Sequence, residues 1–240
     1  TLLMNMGYHQ FINGFKVLAI SLEMSHDTYS MRLLTRHLAM RTKEITYQDI
    51  SMGLLSERRE EILKEGIEDL HNNPNYGNFV VVSLGSGVTI DSIRAEIIRY
   101  KHDIVLIDYL QLMSSSRRRD SMREEQSEII RELRALALEL GIFITTAHQI
   151  SREGQKNARK HNGYYLTDLS ETSEIEKSAE VVITLYRQYK SPNILDGTLS
   201  VLKNRFGATM SGIKVTCAFD KCSIVDDSGM YDNISINEGE

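Results

Sequence analysis

Short continuous apolar runs alternate with amphipathic stretches along this chain. Val17-Leu18-Ala19-Ile20-Ser21-Leu22, Phe79-Val80-Val81-Val82, Ile104-Val105-Leu106-Ile107, Ile142-Phe143-Ile144 and Val181-Val182-Ile183 each read as a strand buried on both faces. Between them, Ser25 is placed to cap a helix with Met31, Leu34 and Leu38 on one face. Ser56 precedes a helix with the stripe Ile62, Leu63, Ile67 and Leu70, and Thr89 precedes one with Ile90, Ile93 and Ile97. A longer helix carries Ile129, Leu133, Leu136, Ala137 and Leu140. Buried strands joined by helical crossovers predict an α/β fold with a doubly wound, mostly parallel sheet flanked by helices. After Leu199 the pattern changes to alternation. Leu199 and Val201, then Ile213, Val215, Cys217 and Phe219, with Gly207 and Gly212 between, predict a C-terminal antiparallel hairpin with one wet face. A tight turn at Asp220-Lys221 pairs Phe219 with Cys222 and sets Cys217 opposite Ile224, so no disulfide is expected.

Composition narrows the picture. The 240 residues carry 28 Lys+Arg against 33 Asp+Glu, a net charge of -5, with 41% hydrophobic residues. That excludes wholesale disorder, and no apolar run approaches the ~18 residues of a membrane span. Two cysteines support neither a disulfide framework nor, alone, a structural zinc site. Two prolines fit long regular elements, and the chain reads as soluble and intracellular. The acidic balance means that contact with nucleic acid needs a local basic face. Thr1-Leu2-Leu3-Met4-Asn5-Met6 enters a helical pattern with no leader-like charge ahead of it, as though the chain starts inside an element.

Ligands of open parallel sheets bind beyond the carboxyl ends of the strands. Here those ends lead to Glu23, to Asp108, and to Thr145-Thr146 followed by His148 and Gln149. Taken singly, each marks where a strand meets solvent. Taken together, two acids and an amide suit nucleoside triphosphate hydrolysis: one acid holds Mg²⁺ through water, the other activates water, and the amide senses the γ-phosphate.

Ser21-Leu22-Glu23-Met24-Ser25 and Ile107-Asp108-Tyr109-Leu110-Gln111-Leu112-Met113 resemble the second-strand and Walker B signatures of DnaB-type replicative helicases. Gln149-Ile150-Ser151-Arg152 is similar to the family's glutamine motif. Asp168-Leu169-Ser170-Glu171, on through Ile175-Glu176 to Tyr186-Arg187, resembles its DNA-loop segment, and Lys203-Asn204-Arg205-Phe206-Gly207 its basic finger. The resemblance implies a RecA-like ATPase domain over 1–225, followed by a flexible acidic tail over 226–240. It implies ATP and Mg²⁺ as cofactors, with Glu23 as catalytic carboxylate, Asp108 as the water-mediated Mg²⁺ ligand, and Gln149 as the link to the DNA-facing loops. Lys203 and Arg205, two apart on a strand and so on one face, would reach the nucleotide of the adjacent subunit. Arg152, Ser170, Glu171, Thr172 and Ser173 would meet single-stranded DNA. Partners implied are further copies in a homohexameric ring, a primase and a helicase loader, with no membrane; the setting is the cytoplasmic replisome of a bacterium or phage.

Two departures qualify this. The loop G-x-x-x-x-G-K-[ST] does not occur in the 240 residues. In the family it precedes a helix that begins much like Thr1-Leu2-Leu3-Met4-Asn5, so Thr1 would follow the Mg²⁺-binding Ser/Thr and border the nucleotide. These residues alone are then expected not to hydrolyse ATP. The family commonly has an arginine where Ser170 stands, which shifts any DNA grip to hydroxyls, backbone N–H groups, or Arg152, Lys156, Arg159 and Lys160. Arg117-Arg118-Arg119, flanked by serines, reads as a mobile surface loop. Two other readings stay open: a recombinase-like or clock-type RecA relative without unwinding activity, and a non-catalytic ring or filament component.

Overall fold

The computed structural model describes residues 1–115, 121–169, 173–189 and 194–226. The arginine run 117–119 and the tail beyond Asp226 lie outside them. In chain order the elements are α1 (Leu2–Ile12), β1 (Lys16–Ser21), α2 (His26–Leu38), α3 (Tyr47–Met52), α4 (Glu57–Asn72), β2 (Asn78–Ser83), α5 (Ile90–Tyr100), β3 (Ile104–Asp108), α6 (Met122–Leu140), β4 (Phe143–Thr146), α7 (Arg152–His161), α8 (Ser173–Ser178), β5 (Val181–Tyr189), β6 (Ile194–Asn204), β7 (Met210–Ala218) and β8 (Ser223–Asp226).

The first four strands form a parallel sheet in the order β2-β1-β3-β4. Side chains alternate across it, so β1 and β3 feed two cores. Leu18, Ile20, Val105 and Ile107 pack against Ile93 and Ile97 of α5 and Ile129, Leu133 and Leu136 of α6. Val17, Ala19, Ile104 and Leu106 pack against Leu3, Met4, Tyr8 and Phe11 of α1 and Tyr29 and Leu33 of α2. The result is a layer of helices on each face of the sheet, as the continuous apolar runs predict. α1 lies close because Gly7 sits over the sheet, where an added Cβ would fall 2.3 Å from Leu106 Cδ1. Ser25 caps α2, accepting from the Thr28 N–H at 3.2 Å.

Several expectations change. Val181-Val182-Ile183 does not extend the parallel sheet: it opens β5, which pairs antiparallel with β6. The expected hairpin is present as β6-β7, and β5 and β8 extend it to a four-stranded antiparallel sheet, β5-β6-β7-β8. α2 buries Tyr29, Leu33, Arg36, His37 and Leu38, so its inner face is rotated from the Met31–Leu34 stripe and carries polar groups. α4 lies outermost, with Ile67 exposed and Gly66 packed on Leu38. The turn before β8 is a three-residue 3₁₀ segment, Phe219–Lys221, with Cys222 at φ 53°; Cys217 does lie opposite Ile224, and neither cysteine is in a disulfide.

Asn5 joins the two sheets. From α1 its Nδ2 donates to the carbonyls of Thr1 (3.0 Å) and Cys222 (2.8 Å), and its Oδ1 accepts from the Ile224 N–H (3.2 Å) and from Arg36 Nε. Among the described residues no helix is long and apolar enough to cross a membrane.

Candidate functional site

The parallel register sets the geometry at the carboxyl edge. Ser21, the last residue of β1, lies opposite Asp108, the last of β3, and the Leu22 N–H donates to the Asp108 carbonyl at 2.8 Å. The chain then turns sharply. Ser21 Oγ accepts from the Met24 N–H (2.9 Å) and donates to the Met24 carbonyl (2.8 Å), which also accepts from Ser83 Oγ (2.9 Å). This buried serine clasp anchors Leu22 inward and leaves Glu23 exposed at the rim. Two acids thus project from adjacent strand ends. The peptide between Asp108 and Tyr109 is cis.

The electrostatics agree with that placement. Desolvation raises the Asp108 carboxyl above the usual carboxylate range; Glu23 pushes it further up, and Arg32 pulls it down. Glu23, Asp108 and Arg32 therefore form one electrostatic neighbourhood.

Arg32 and Tyr29 are functional candidates that the apolar periodicity passed over. Both lie on α2, three residues apart and hence on one side of the helix. Tyr29 is 2% exposed and its hydroxyl has no hydrogen-bond partner among the described residues. Burial raises that phenol, with Asp108 adding to the effect. The available signal was the i, i+4 pair Tyr29 and Leu33, which marks the inner face.

Gln149 follows β4. The Ala147 N–H donates to the Ile107 carbonyl and the Leu110 N–H to the Ala147 carbonyl, both at 3.3 Å, which keeps this strand end beside Asp108. Gln149 itself is exposed, two residues further on. Arg152 is exposed at the start of α7. Ser170, Glu171 and Thr172 lie outside the described residues, and Ser173 begins α8.

Lys203 and Arg205 sit apart from this cluster, on the antiparallel sheet. Arg205 lies one residue beyond β6, yet both side chains leave the same face. Lys203 Nζ donates to the Glu176 carbonyl and Arg205 Nη2 to the Lys177 carbonyl (2.6 Å), both at the carboxyl end of α8. Val182 pairs with Lys203 but Ile183 with Val201, so Leu202 is a bulge immediately ahead of the cations. Desolvation and the nearby Arg205 hold the Lys203 ammonium below its usual range.

Residues 1–223 match the family model described as DnaB-like helicase C terminal domain. The chain is 32% identical to the replicative DNA helicase DnaB of Leifsonia xyli subsp. xyli over 197 residues, covering 79% of this chain and 40% of that protein. It is 30% identical to the replicative DNA helicase DnaC of Bacillus subtilis over 206 residues (81% and 43%), and 29% identical to a probable plasmid replicative DNA helicase of Chlamydia psittaci over 210 residues (85% and 43%). It thus spans about two-fifths of the length of these curated relatives. The fold superposes on a solved ATPase domain with a TM-score of 0.78 at 23% identity, covering 93% of this chain and 78% of that one. A DnaB-like replicative helicase studied for its interactions with primase gives the same TM-score and identity, with 92% and 53% coverage. Motifs, register and family match converge, and the chain belongs to the DnaB-like helicase C-terminal domain family.

Proposed function

We propose that this chain is the motor domain of an ATP-dependent replicative DNA helicase that moves along single-stranded DNA as a homohexameric ring. The observation that carries this reading is the pairing of β1 with β3, which puts Ser21 opposite Asp108 and leads Glu23 to the same sheet edge, near enough to raise the Asp108 carboxyl, in a chain of this family. The same pairing supports ATP and Mg²⁺ as cofactors. Asp108 is half-buried, has a like charge nearby in Glu23, and has its carboxyl raised, a donor set that a divalent cation would relieve. Asp108 would hold the ion through water, and the ion would neutralise phosphate charge.

Each side chain then has a role. Glu23, exposed and held by the Ser21 clasp, deprotonates the attacking water. Arg32 offers a cation from within the same subunit, and Thr1 borders the nucleotide. Gln149 links the γ-phosphate to α7 and the loop 170–173, where Ser170, Glu171, Thr172 and Ser173 meet DNA with Arg152. Lys203 and Arg205 serve the neighbouring subunit's nucleotide, which is why a ring is required. The relatives' names support a role in replication, and a primase and a loader are the partners that fit it.

The test uses the full-length protein, including its phosphate-binding loop, assayed for single-strand-dependent ATP hydrolysis and unwinding of forked DNA. Glu23→Gln should lose about 10²–10⁴ in turnover while still binding nucleotide. Unaltered turnover would refute the assignment.

A further inference from the structure

The acid that ends β3 belongs to one particular face of the sheet. Side chains alternate along a strand, so Asp108 leaves β3 on the same side as Leu106, whereas Ile107 feeds the opposite core. Leu106 packs in the core under α1 and α2, the core that also holds Tyr29. Asp108 thus continues the Leu106 row to the carboxyl edge, on the face that α2 covers.

Tyr29 stands at the same end of that core. Its N–H closes the first turn of α2 on the Ser25 carbonyl at 3.0 Å. Met24 and Ala147, from the loops that leave β1 and β4, pack against the cluster that contains it. The ring is held against Phe79 of β2, with centroids 6.3 Å apart. The hydroxyl at its tip is buried, yet it has no hydrogen-bond partner among the described residues. A buried O–H in that condition keeps its full desolvation penalty, and phenylalanine would fill the same space without it. The fold alone has no use for this oxygen. Besides burial, what acts on the phenol is the charge of Asp108, a half-buried carboxylate with room for more than one donor.

We propose that Tyr29 is a positioning residue for Asp108, its hydroxyl donating to the carboxylate and fixing how that carboxylate meets the water shell of the divalent cation. This rests on the motor reading and deepens it. A donor outside the ligand sphere orients the ligand it bonds, and a phenol rooted in a packed core is a rigid one. The hydroxyl has its acceptor in the cation-loaded site, so its cost to folding and its benefit to binding fall on different states of the protein.

The experiment compares full-length wild type, Tyr29→Phe, Asp108→Asn and the double variant in two readouts that do not depend on turnover. Binding of Mn²⁺ in the presence of a non-hydrolysable ATP analogue is followed by the electron paramagnetic resonance of the free ion, and thermal melts are recorded without cation or nucleotide. Tyr29→Phe should weaken Mn²⁺ binding ~10-fold, as replacing an outer-sphere partner of a metal ligand does. It should also melt at or above the wild-type temperature, because a buried unpartnered O–H has been removed. In the Asp108→Asn background the same substitution should change Mn²⁺ affinity by less than about 2-fold, since the hydroxyl acts through that carboxylate. Wild-type Mn²⁺ affinity in Tyr29→Phe, with Asp108→Asn still weakened, would overturn the Tyr29 assignment alone. So would a Tyr29→Phe protein that melts below wild type, which would make the hydroxyl an ordinary partner within the fold. Mn²⁺ affinity unchanged by Asp108→Asn would overturn the motor reading of this edge as well.

Discussion

Replacing Asn5 should cost more than any exposed substitution, because this one side chain closes four hydrogen bonds, three of them to elements far apart in sequence. Asn5→Ala strands the Arg36 Nε, the Cys222 carbonyl and the Ile224 N–H. Arg36 is 9% exposed, its Nη1 has no hydrogen-bond partner among the described residues, and its guanidinium lies 4.7 Å from the centre of the Tyr8 ring. A lost hydrogen bond to a charged group costs ~1.5–3 kcal/mol, and each stranded backbone group ~1 kcal/mol. Together these reach about 3–5 kcal/mol, against a total stability of ~5–15 kcal/mol for a domain. In urea titration of the 240-residue chain, with a slope of ~2–3 kcal/mol per molar, the midpoint should drop by about 1–2 M. Asn5→Asp keeps the acceptor toward Arg36 and the Ile224 N–H but sets a carboxylate oxygen against the Thr1 and Cys222 carbonyls that Nδ2 serves, so it too should destabilise, by about 1–3 kcal/mol. Hydrogen exchange adds a local readout, since the Ile224 amide should lose protection in the alanine variant. A midpoint within about 0.3 M of wild type (about 1 kcal/mol at that slope), with Ile224 still protected, would refute the idea that Asn5 fastens the antiparallel sheet to α1.

Two further predictions concern the acids and the cations. The Asp108 carboxyl is raised, so the folded chain binds its proton more tightly than the unfolded chain. Its stability contribution is present below the ordinary carboxylate pKa and is lost as pH rises through the raised value. Asp108→Asn should remove that dependence and stabilise the chain at neutral pH by about 1 kcal/mol or less, because Arg32 and solvent screen the charge, while abolishing Mg²⁺-dependent turnover of the full-length protein. Thermal melts from about pH 4 to pH 8, spanning the ordinary and raised carboxylate ranges, check it; a variant less stable than wild type at neutral pH would contradict the burial argument. Arg205→Ala should reduce turnover by ~10³-fold or more, with the nucleotide affinity of an isolated protomer unchanged.

The candidate edge was legible in the sequence because the apolar residues of β1 and β3 are buried, and burial on both faces forces an unbroken apolar run that stops at the carboxyl end of the strand. Glu23 and Asp108 stand out as the polar residues beyond those runs. Val181-Val182-Ile183 shows the weakness of the same signal. Three apolar residues look alike in a parallel interior and at the start of an antiparallel edge, and the pairing that decides between them depends on β6, whose bulge at Leu202 breaks simple alternation. α2 was obscured for another reason. Its inner face buries Tyr29, Arg36 and His37, and hydrogen bonds hold the last two: Tyr8 Oη lies 2.9 Å from His37 Nδ1, and Asn5 Oδ1 accepts from Arg36 Nε. A count of apolar residues passes over such positions, and Arg32 was passed over with them. The pairing of Lys203 and Arg205 on one face followed from their spacing, but their contact with the end of α8 did not, because its acceptors are backbone carbonyls that any sequence would supply.

The central claim is that Glu23 of one subunit and Arg205 of its neighbour act on the same nucleotide. It is tested most directly by mixing full-length Glu23→Gln and Arg205→Ala proteins, each inactive alone, and measuring single-strand-dependent ATP hydrolysis across mixing ratios. Mixed rings contain interfaces where an intact Glu23 meets an intact Arg205, so turnover should reappear and peak near equal proportions. Turnover that stays at the level of the separate variants at every ratio, with subunit exchange verified, would contradict it.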